Sequence, residues 1–397
     1  MTTRVAALAL TFLLLGAFLP AAGANTISKT DGNDSPGPLD LASMRVSHSG
    51  TTHLFRMTTQ AAFTNAQIDG DIGWFRVGFD LNADQTYDRN VFVFYAAGRM
   101  RAVLTDRSLT ALDYDLWATR VSGNTVEVKL PMSKIGSPKN YDFAVWTVSK
   151  SSPCTAKDPC IDFIPNRYPL IRHDLTAPVA TWGTVPTYST DVSATLTFPV
   201  SFSTKDIGFG SGVKSWTLSM RPAGTKTWDP VKTGTSSSAT VRVSGEEGLT
   251  YEFRVDVADR QGNRSSIQKR FTTLPFDDAN GALTYDTSWS ASSGITGAFL
   301  DTLAISTTAG ATVTMPVQDG YGVQVCVVGG PSAAPVSADM TLDGNTRLGF
   351  LTETSATPKH SIIGCRKTPA GSPGPHSLSI TVPAGTGFVV DGIAVAG

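Results

Sequence analysis

The stretch GWFRVGFDLNADQTYDRNVFVFY, residues 73–95, decides the fold. Two runs alternate apolar and polar residues on either side of a short polar turn. Phe75, Val77, Phe79 and Leu81 fall on one face of an extended chain, as burial with a period of two requires. An amphipathic helix would need a spacing of three or four instead. The stretch therefore reads as two β-strands joined by a hairpin. Its turn also carries oxygen donors at alternate positions, Asp80, Asn82 and Asp84, with Asp88 four residues on.

The same pattern repeats outward along the chain. Strand candidates LASMRVSH, THLFRMTTQA, RMRAVLT, YDLWATRV, TVEVKL and YDFAVWTVSK surround the hairpin. Gly-rich turns separate further short runs up to the C-terminus. No long apolar run with a 3.6-residue period follows the first twenty residues, so the fold class is all-β. The chain has 397 residues, room for two or three domains. Its 32 basic and 33 acidic residues leave a net charge of −1, which indicates no nucleic-acid partner and no general attraction to anionic membranes. Arg4, the apolar run Val5 to Leu19 and the small residues Ala22-Gly23-Ala24 predict a signal peptide over residues 1–24. The mature chain is then expected to be exported, extracellular or associated with the cell surface, with no transmembrane segment.

Three consecutive β-sandwiches are expected after a polar leader over 25–37. The first spans 38–172, the second 173–276 and the third 279–397. Four cysteines fall in two local pairs, and for an exported chain the expected disulfides are Cys154–Cys160 and Cys326–Cys365. Zinc would need closer ligand spacing than these cysteines offer.

The entry GPLDL, the turn at 80–88 and VEVKLPMSKIG ahead of a strand with Trp146 resemble DOMON-like and family 9 carbohydrate-binding-like sandwiches. That resemblance implies a domain that binds sugar or, in some branches, haem. The phrase DIGFGSGVKSW, with GLTYEFRVDVADRQGN behind it, resembles bacterial immunoglobulin-like and fibronectin type III-like repeats. It implies a spacer fold with Tyr251 at the place of a tyrosine corner. The last third, closing on VVDGIAV, resembles galactose-binding-like jelly rolls.

No catalytic constellation emerges, and the chain is expected not to be an enzyme. The five histidines form no HExxH, GFGSG at 208–212 lacks the spacing of a nucleophile elbow, and no phosphate loop occurs. Glu246 and Glu247 are adjacent and point to opposite faces of any strand, so they cannot flank a glycosidic bond. For haem, Met44, His48, His53, Met57 and Met100 read as core or solvated side chains. Sugar recognition needs flat aromatic faces, for which Trp74, Trp117 and Trp146 are the candidates, with the sandwich core as the rival placement. Counting Asp80 as position 1, donors at Asp80, Asn82, Asp84, Thr86 (through its carbonyl) and Asp88 match the first nine positions of a calcium loop. Gln85 and Val91 depart from it at positions 6 and 12. A structural Ca²⁺ is one reading of the turn, and an ion-free hairpin capped by Asx turns is the other. The expected function is non-catalytic binding of extracellular or cell-wall polysaccharide. The alternatives are a structural or adhesion protein working through protein contacts and, third, a glycan-processing enzyme.

Overall fold

The computed structural model describes residues 26–166, 169–187, 196–296, 298–317, 324–329, 337–344, 346–347, 350–351, 361–367, 376–385 and 387–396. The signal peptide lies outside the described residues. The chain packs as two units, 1–176 with 208–211 and 261–263, and 177–207 with 212–260 and 264–397. Among the described residues both are built from antiparallel sheets, with short 3-10 turns as the helical elements. No described helix is long and apolar enough to cross a membrane.

The first unit contains β1 (Ile27–Thr30), β2 (Leu41–Ser49), β3 (Thr52–Thr59), β4 (Gly73–Asp80), β5 (Arg89–Ala96) and β6 (Arg99–Asp106). It continues with β7 (Ala111–Leu116), β8 (Ala118–Ser122), β9 (Thr125–Pro131), β10 (Asn140–Ser149), β11 (Cys160–Ile164) and β12 (Ile171–Asp174). One sheet runs β1-β2-β3-β9-β8. The other runs β11-β10-β4-β5-β6-β7, and β12 shares the edge of β10 with β11. Alternate residues of both sheets meet between them: Phe55, Met57, Val126 and Val128 from one, Phe75, Val77, Phe79, Val91 and Phe143 from the other. Phe55 packs edge-on against Phe79 and Phe143, with ring centres 5.4 and 5.7 Å away. The two-residue turn joining β5 to β6 holds Ala97 and Gly98 at φ 51° and 80°, the left-handed pair that matches the twist of a tight hairpin.

Two segments differ from the sequence reading. The leader 25–37 is not outside the sandwich: Ile27–Thr30 pairs with Ser43–Val46 and forms its edge strand. Ile27 packs against the core, a single apolar anchor too sparse to register as a pattern. The segment after the cysteine loop, which holds none of the strand candidates, supplies β11 and β12, each too short to show alternation over more than two or three residues. The Cys154–Cys160 disulfide closes the loop that enters β11.

In the second unit, β13 (Val179–Trp182), β14 (Thr197–Lys205) and β17 (Ser238–Ser244) form one sheet. The facing sheet holds β15 (Val213–Pro222), β16 (Asp229–Gly234), β18 (Thr250–Asp259) and β19 (Arg264–Thr273) in the order β16-β15-β18-β19. Trp216 fills the core and donates its Nε1–H to the Ser236 carbonyl at 3.0 Å. Gly234 lies against that indole: a Cβ there would stand 2.2 Å from the ring. The Tyr251 hydroxyl accepts the Glu246 backbone N–H at 2.9 Å, which ties the β17–β18 connection to the strand. Tyr251→Phe strands that N–H, and denaturant unfolding should show this sandwich less stable by about 1–3 kcal/mol.

The remaining strands form a third sandwich in the same unit. Val313, Met315, Met340, Leu378, Ile380 and Phe388 lie in its core. Cys326 and Cys365 stand directly opposite each other in the pairing of 324–329 with 361–367. Their side chains, and with them the second expected disulfide, lie outside the described residues.

Candidate functional site

Strand β10 is buried along its whole length, on both faces. Its inner residues Tyr141, Phe143 and Val145 belong to the core of the first sandwich. Its outer residues Ala144, Trp146 and Val148 lie under a second, smaller apolar layer formed with Trp74, Tyr87 and Leu170. A sheet face exposed to water would carry polar residues there, so this outer layer marks the site.

Trp146 is its centre. The ring lies 5.0 Å from Tyr87 and stacks on Phe163 at 5.7 Å, and the Arg76 guanidinium sits 4.3 Å over it. Arg76 also lies 4.9 Å over Phe92 and is held by Asn90 Oδ1, which accepts from Nε and Nη2 at 3.1 and 2.7 Å. Burial beneath these groups lowers the guanidinium pKa from its ordinary value. Gly78 makes the arrangement fit, since a Cβ there would stand 2.6 Å from Tyr87 and 2.8 Å from Trp146. Beside Trp146 a cavity of about 480 Å³ is lined by Arg76, Tyr87, Phe163, Pro165, Asn166 and Leu170, among others. Across Arg76 a second, of about 380 Å³, is lined by Gly70, Asp71, Trp74, Phe92 and Phe94. Lys150 reaches over Trp74, its Nζ 5.2 Å from the ring centre.

Of the three tryptophans singled out in the sequence, Trp74 and Trp146 therefore share this face. Trp146 is only 6% exposed, and the accessible rim is Phe163, at 39%. Trp117 lies elsewhere, 45% exposed under the Lys129 ammonium, beside a cavity with Arg99, Arg101 and Asp115. A larger cavity, about 810 Å³, lies over β15 and β18. Its one outward indole, Trp228, is already covered by Arg221 and Arg254, and serine, threonine and aspartate make up much of the remaining lining.

The turn at 80–88 is knitted by its own amides. Asp80, fully buried, accepts from the N–H groups of Asn82, Asp84 and Gln85 at 3.2, 3.3 and 2.7 Å. Asn82 Oδ1 accepts from Asp84 N, Asp84 Oδ1 from Thr86 N, and Asp88 Oδ2 from Leu81 N. Hydrogen bonds to Thr86 hold the Asp84 carboxyl below the usual carboxylate range. Ala83 and Gln85 take left-handed φ values of 62° and 67°, so the bend forms without a glycine at position 6.

Two groupings escaped the sequence reading because their members are far apart in the chain. His48, His53 and His173 gather at one end of the first core, with ring centres 4.9 to 6.4 Å apart. His53 Nδ1 bonds the Tyr141 hydroxyl at 2.6 Å, and His173 stacks flat on the Tyr141 ring at 5.0 Å. Burial, reinforced by the neighbouring histidines, lowers His53 to about 4 and His173 to about 3. Asp31, Asp34 and Asp162 bring carboxylate oxygens within 4.8 Å of one another at the edge between β1 and β11. Burial raises the Asp162 carboxyl to about 7, and the charges of Asp31, Asp40 and Asp34 add to the rise. In the third sandwich Asp277 and Asp278 both accept from the Thr302 hydroxyl, and burial raises both carboxyls.

No protein-family model matches the chain, and no curated protein matches it. Among solved structures it is similar to a CBM35 module from Cellvibrio japonicus Abf62, at 15% identity over 32% of this chain and 93% of that one, with a TM-score of 0.26. A carbohydrate-binding module of the β-sandwich superfamily, described for promiscuous specificity, matches at 17% identity over 55% and 96%, TM-score 0.23. An exo-β-1,3-galactanase from Phanerochaete chrysosporium, solved with galactose, matches at 10% over 94% and 96%, TM-score 0.26. Similarity of this degree identifies neither a family nor a ligand.

Proposed function

We propose that the protein is an exported, non-catalytic binder of extracellular or cell-wall polysaccharide, and that the outer face of β4, β5, β10 and β11 is its binding surface. The observation that carries this reading is the aromatic layer on that face. It runs from Trp74, Phe92 and Phe94 through Arg76 to Trp146, Tyr87 and Phe163, with a cavity at each end. Sugar rings stack on flat aromatic faces, while a few polar groups select hydroxyl positions. Arg76 supplies donors beside the ring faces, and its guanidinium suits a uronate carboxylate as well as neutral hydroxyls.

A second reading, docking of a protein, rests on a separate observation. Leu109, Leu112, Tyr114, Trp117 and Val121 are all exposed around β7 and β8.

Affinity electrophoresis through gels containing neutral and uronate-bearing polysaccharides tests both. Wild type should be retarded by at least one glycan, and Phe163→Ala should weaken that interaction at least about tenfold, roughly 1.4 kcal/mol. Gly78→Ala should do the same by wedging Tyr87 and Trp146 apart. Trp117→Ala should leave retardation unchanged. Free migration of wild type through every gel would reject glycan binding and leave the exposed strip at β7 and β8 as the surface to pursue.

A further inference from the structure

The edge of the first sandwich between β1, β2 and β11 carries four carboxylates that the aromatic face and the 80–88 turn do not use. Asp31, Asp34 and Asp40 lie in the connection between β1 and β2, and Asp162 points inward from β11. Part of this group is already satisfied. Asp162 accepts from the N–H groups of Leu41 and Phe163 at 2.5 and 2.8 Å, and Asp40 Oδ1 accepts from Ser35 N at 3.2 Å. Asn166 Nδ2 donates to Asp31 Oδ1 at 2.9 Å and to Asp34 Oδ2 at 2.7 Å. Two oxygens are not satisfied. Asp40 is 4% exposed and its Oδ2 is buried with no donor, and Asp31 Oδ2 is buried in the same condition. The oxygens within 4.8 Å of one another are those of Asp31, Asp34 and Asp162. Asp40 immediately precedes Leu41, whose N–H Asp162 accepts, and its charge bears on both Asp31 and Asp162. Buried carboxylate oxygens without donors are costly, and two of them at a carboxylate cluster that forms no ion pair with a lysine or arginine among the described residues is an arrangement a cation relieves.

We propose that this edge is a calcium site, formed by Asp31, Asp34, Asp40 and Asp162, that clasps the N-terminal strand to β11. The donors are all oxygen, which suits a hard cation and disfavours zinc or copper. Carboxylates contributed by one irregular connection, residues 31–40, and by a strand form an adjustable shell. That matches the six to eight ligands calcium accepts better than the strict octahedron of magnesium. The site also has a route to the aromatic face. Within β11, Asp162 faces inward while its neighbour Phe163 faces outward onto Trp146. Asn166, which holds Asp31 and Asp34, lines the cavity beside Trp146. An ion at the edge therefore fixes the strand and the loop that form one rim of that cavity.

The test uses the full mature chain, stripped with chelator, in equilibrium dialysis with radiolabelled calcium and in thermal unfolding followed by hydrogen exchange. Wild type should bind calcium, raise the unfolding midpoint of the first sandwich by several degrees, and protect the amides of β11. Magnesium at the same concentration should do much less. Asp34→Ala, at an exposed position that spares the fold, should weaken binding at least tenfold, and Asp40→Asn should abolish the midpoint shift. Asp84→Ala should leave both readouts intact. The proposal is overturned if no calcium binds at about 10 mM, well above the range of extracellular modules. It is equally overturned if binding survives Asp34→Ala and Asp40→Asn but is lost in Asp84→Ala. Neither outcome bears on whether the aromatic face binds glycan, which is read separately by electrophoresis.

Discussion

His173→Leu should stabilise the first sandwich by about 1–3 kcal/mol at pH 8 and by roughly 2 kcal/mol more at pH 5. His173 is fully buried, and neither ring nitrogen has a hydrogen-bond partner. A leucine of similar volume removes that unsatisfied polar group at any pH. The second increment follows from linkage. Burial and the nearby His53 and His48 lower the folded pKa of His173 to about 3, against 6.5 in the unfolded chain. Between those values the unfolded chain binds the proton and the folded one does not. Stability is therefore fully present above about pH 6.5 and drains away as pH falls towards 3. His53, lowered to about 4, acts in the same direction over its own window. Asp162 opposes them: its folded pKa is raised to about 7, so its contribution is largest below the unfolded value and is lost as pH rises through 7. The wild-type curve mixes both signs, and the difference between wild type and variant isolates the histidine. Urea midpoints at pH 8 and pH 5 measure it. An equal gap at the two pH values would show that His173 is not held neutral in the fold.

Trp146→Ala should cost about 3–5 kcal/mol, as removal of a large buried side chain does. Its ring is enclosed by Arg76, Tyr87 and Phe163 and sits over Gly78. Truncation opens a cavity beneath three groups that cannot all collapse into it. Trp117→Ala is the contrast. That ring is 45% exposed and meets chiefly the Lys129 ammonium, a cation–π contact worth about 0.5–1 kcal/mol at the surface. Denaturant midpoints of the two variants should differ several-fold in their shift. Equal shifts would show that the outer aromatic layer is not closed over Trp146. Because Trp146 carries stability as well as shape, Phe163 is the cleaner position at which to probe binding.

The strands and sandwiches were legible because their signal is local. Phe75, Val77 and Phe79 alternate within five residues, and the Tyr251 hydroxyl finds its partner five residues upstream. The outer face was legible only in part. Trp74 and Trp146 stood out as indoles, but Tyr87 and Phe163 acquire their roles from pairings of β10 with β4 and β11 that no spacing encodes. The acidic edge was the least readable. Asp34 and Asp162 are more than 120 residues apart, and Asp31 and Asp34 lay in a segment whose single apolar anchor, Ile27, suggested a tail. The turn at 80–88 drew attention instead because its donors are contiguous, and contiguity is also what lets its own amides occupy them.

The two-sided burial of β10 has a consequence for pairing fidelity. In a half-buried strand, sliding by one residue exchanges the oily and wet faces, and that penalty locks the alignment. β10 has no wet face, so a slip of one residue would exchange one buried row for another, and over Phe143–Trp146 both rows are apolar. Its alignment must be keyed by shape and charge. Asp142 meets Arg172 in a two-pronged ion pair at 2.7 Å for each prong, directly across the β10–β12 ladder. On the other side, only Gly78 leaves a notch for Trp146 and Tyr87. A shift by one position would bring the indole's neighbourhood over Val77 or Phe79 and separate the charged pair. Such keyed strands tolerate hydrophobic exchange along their length but not loss of the key, so variation at Val148 should be far more permissive than variation at Gly78 or Asp142.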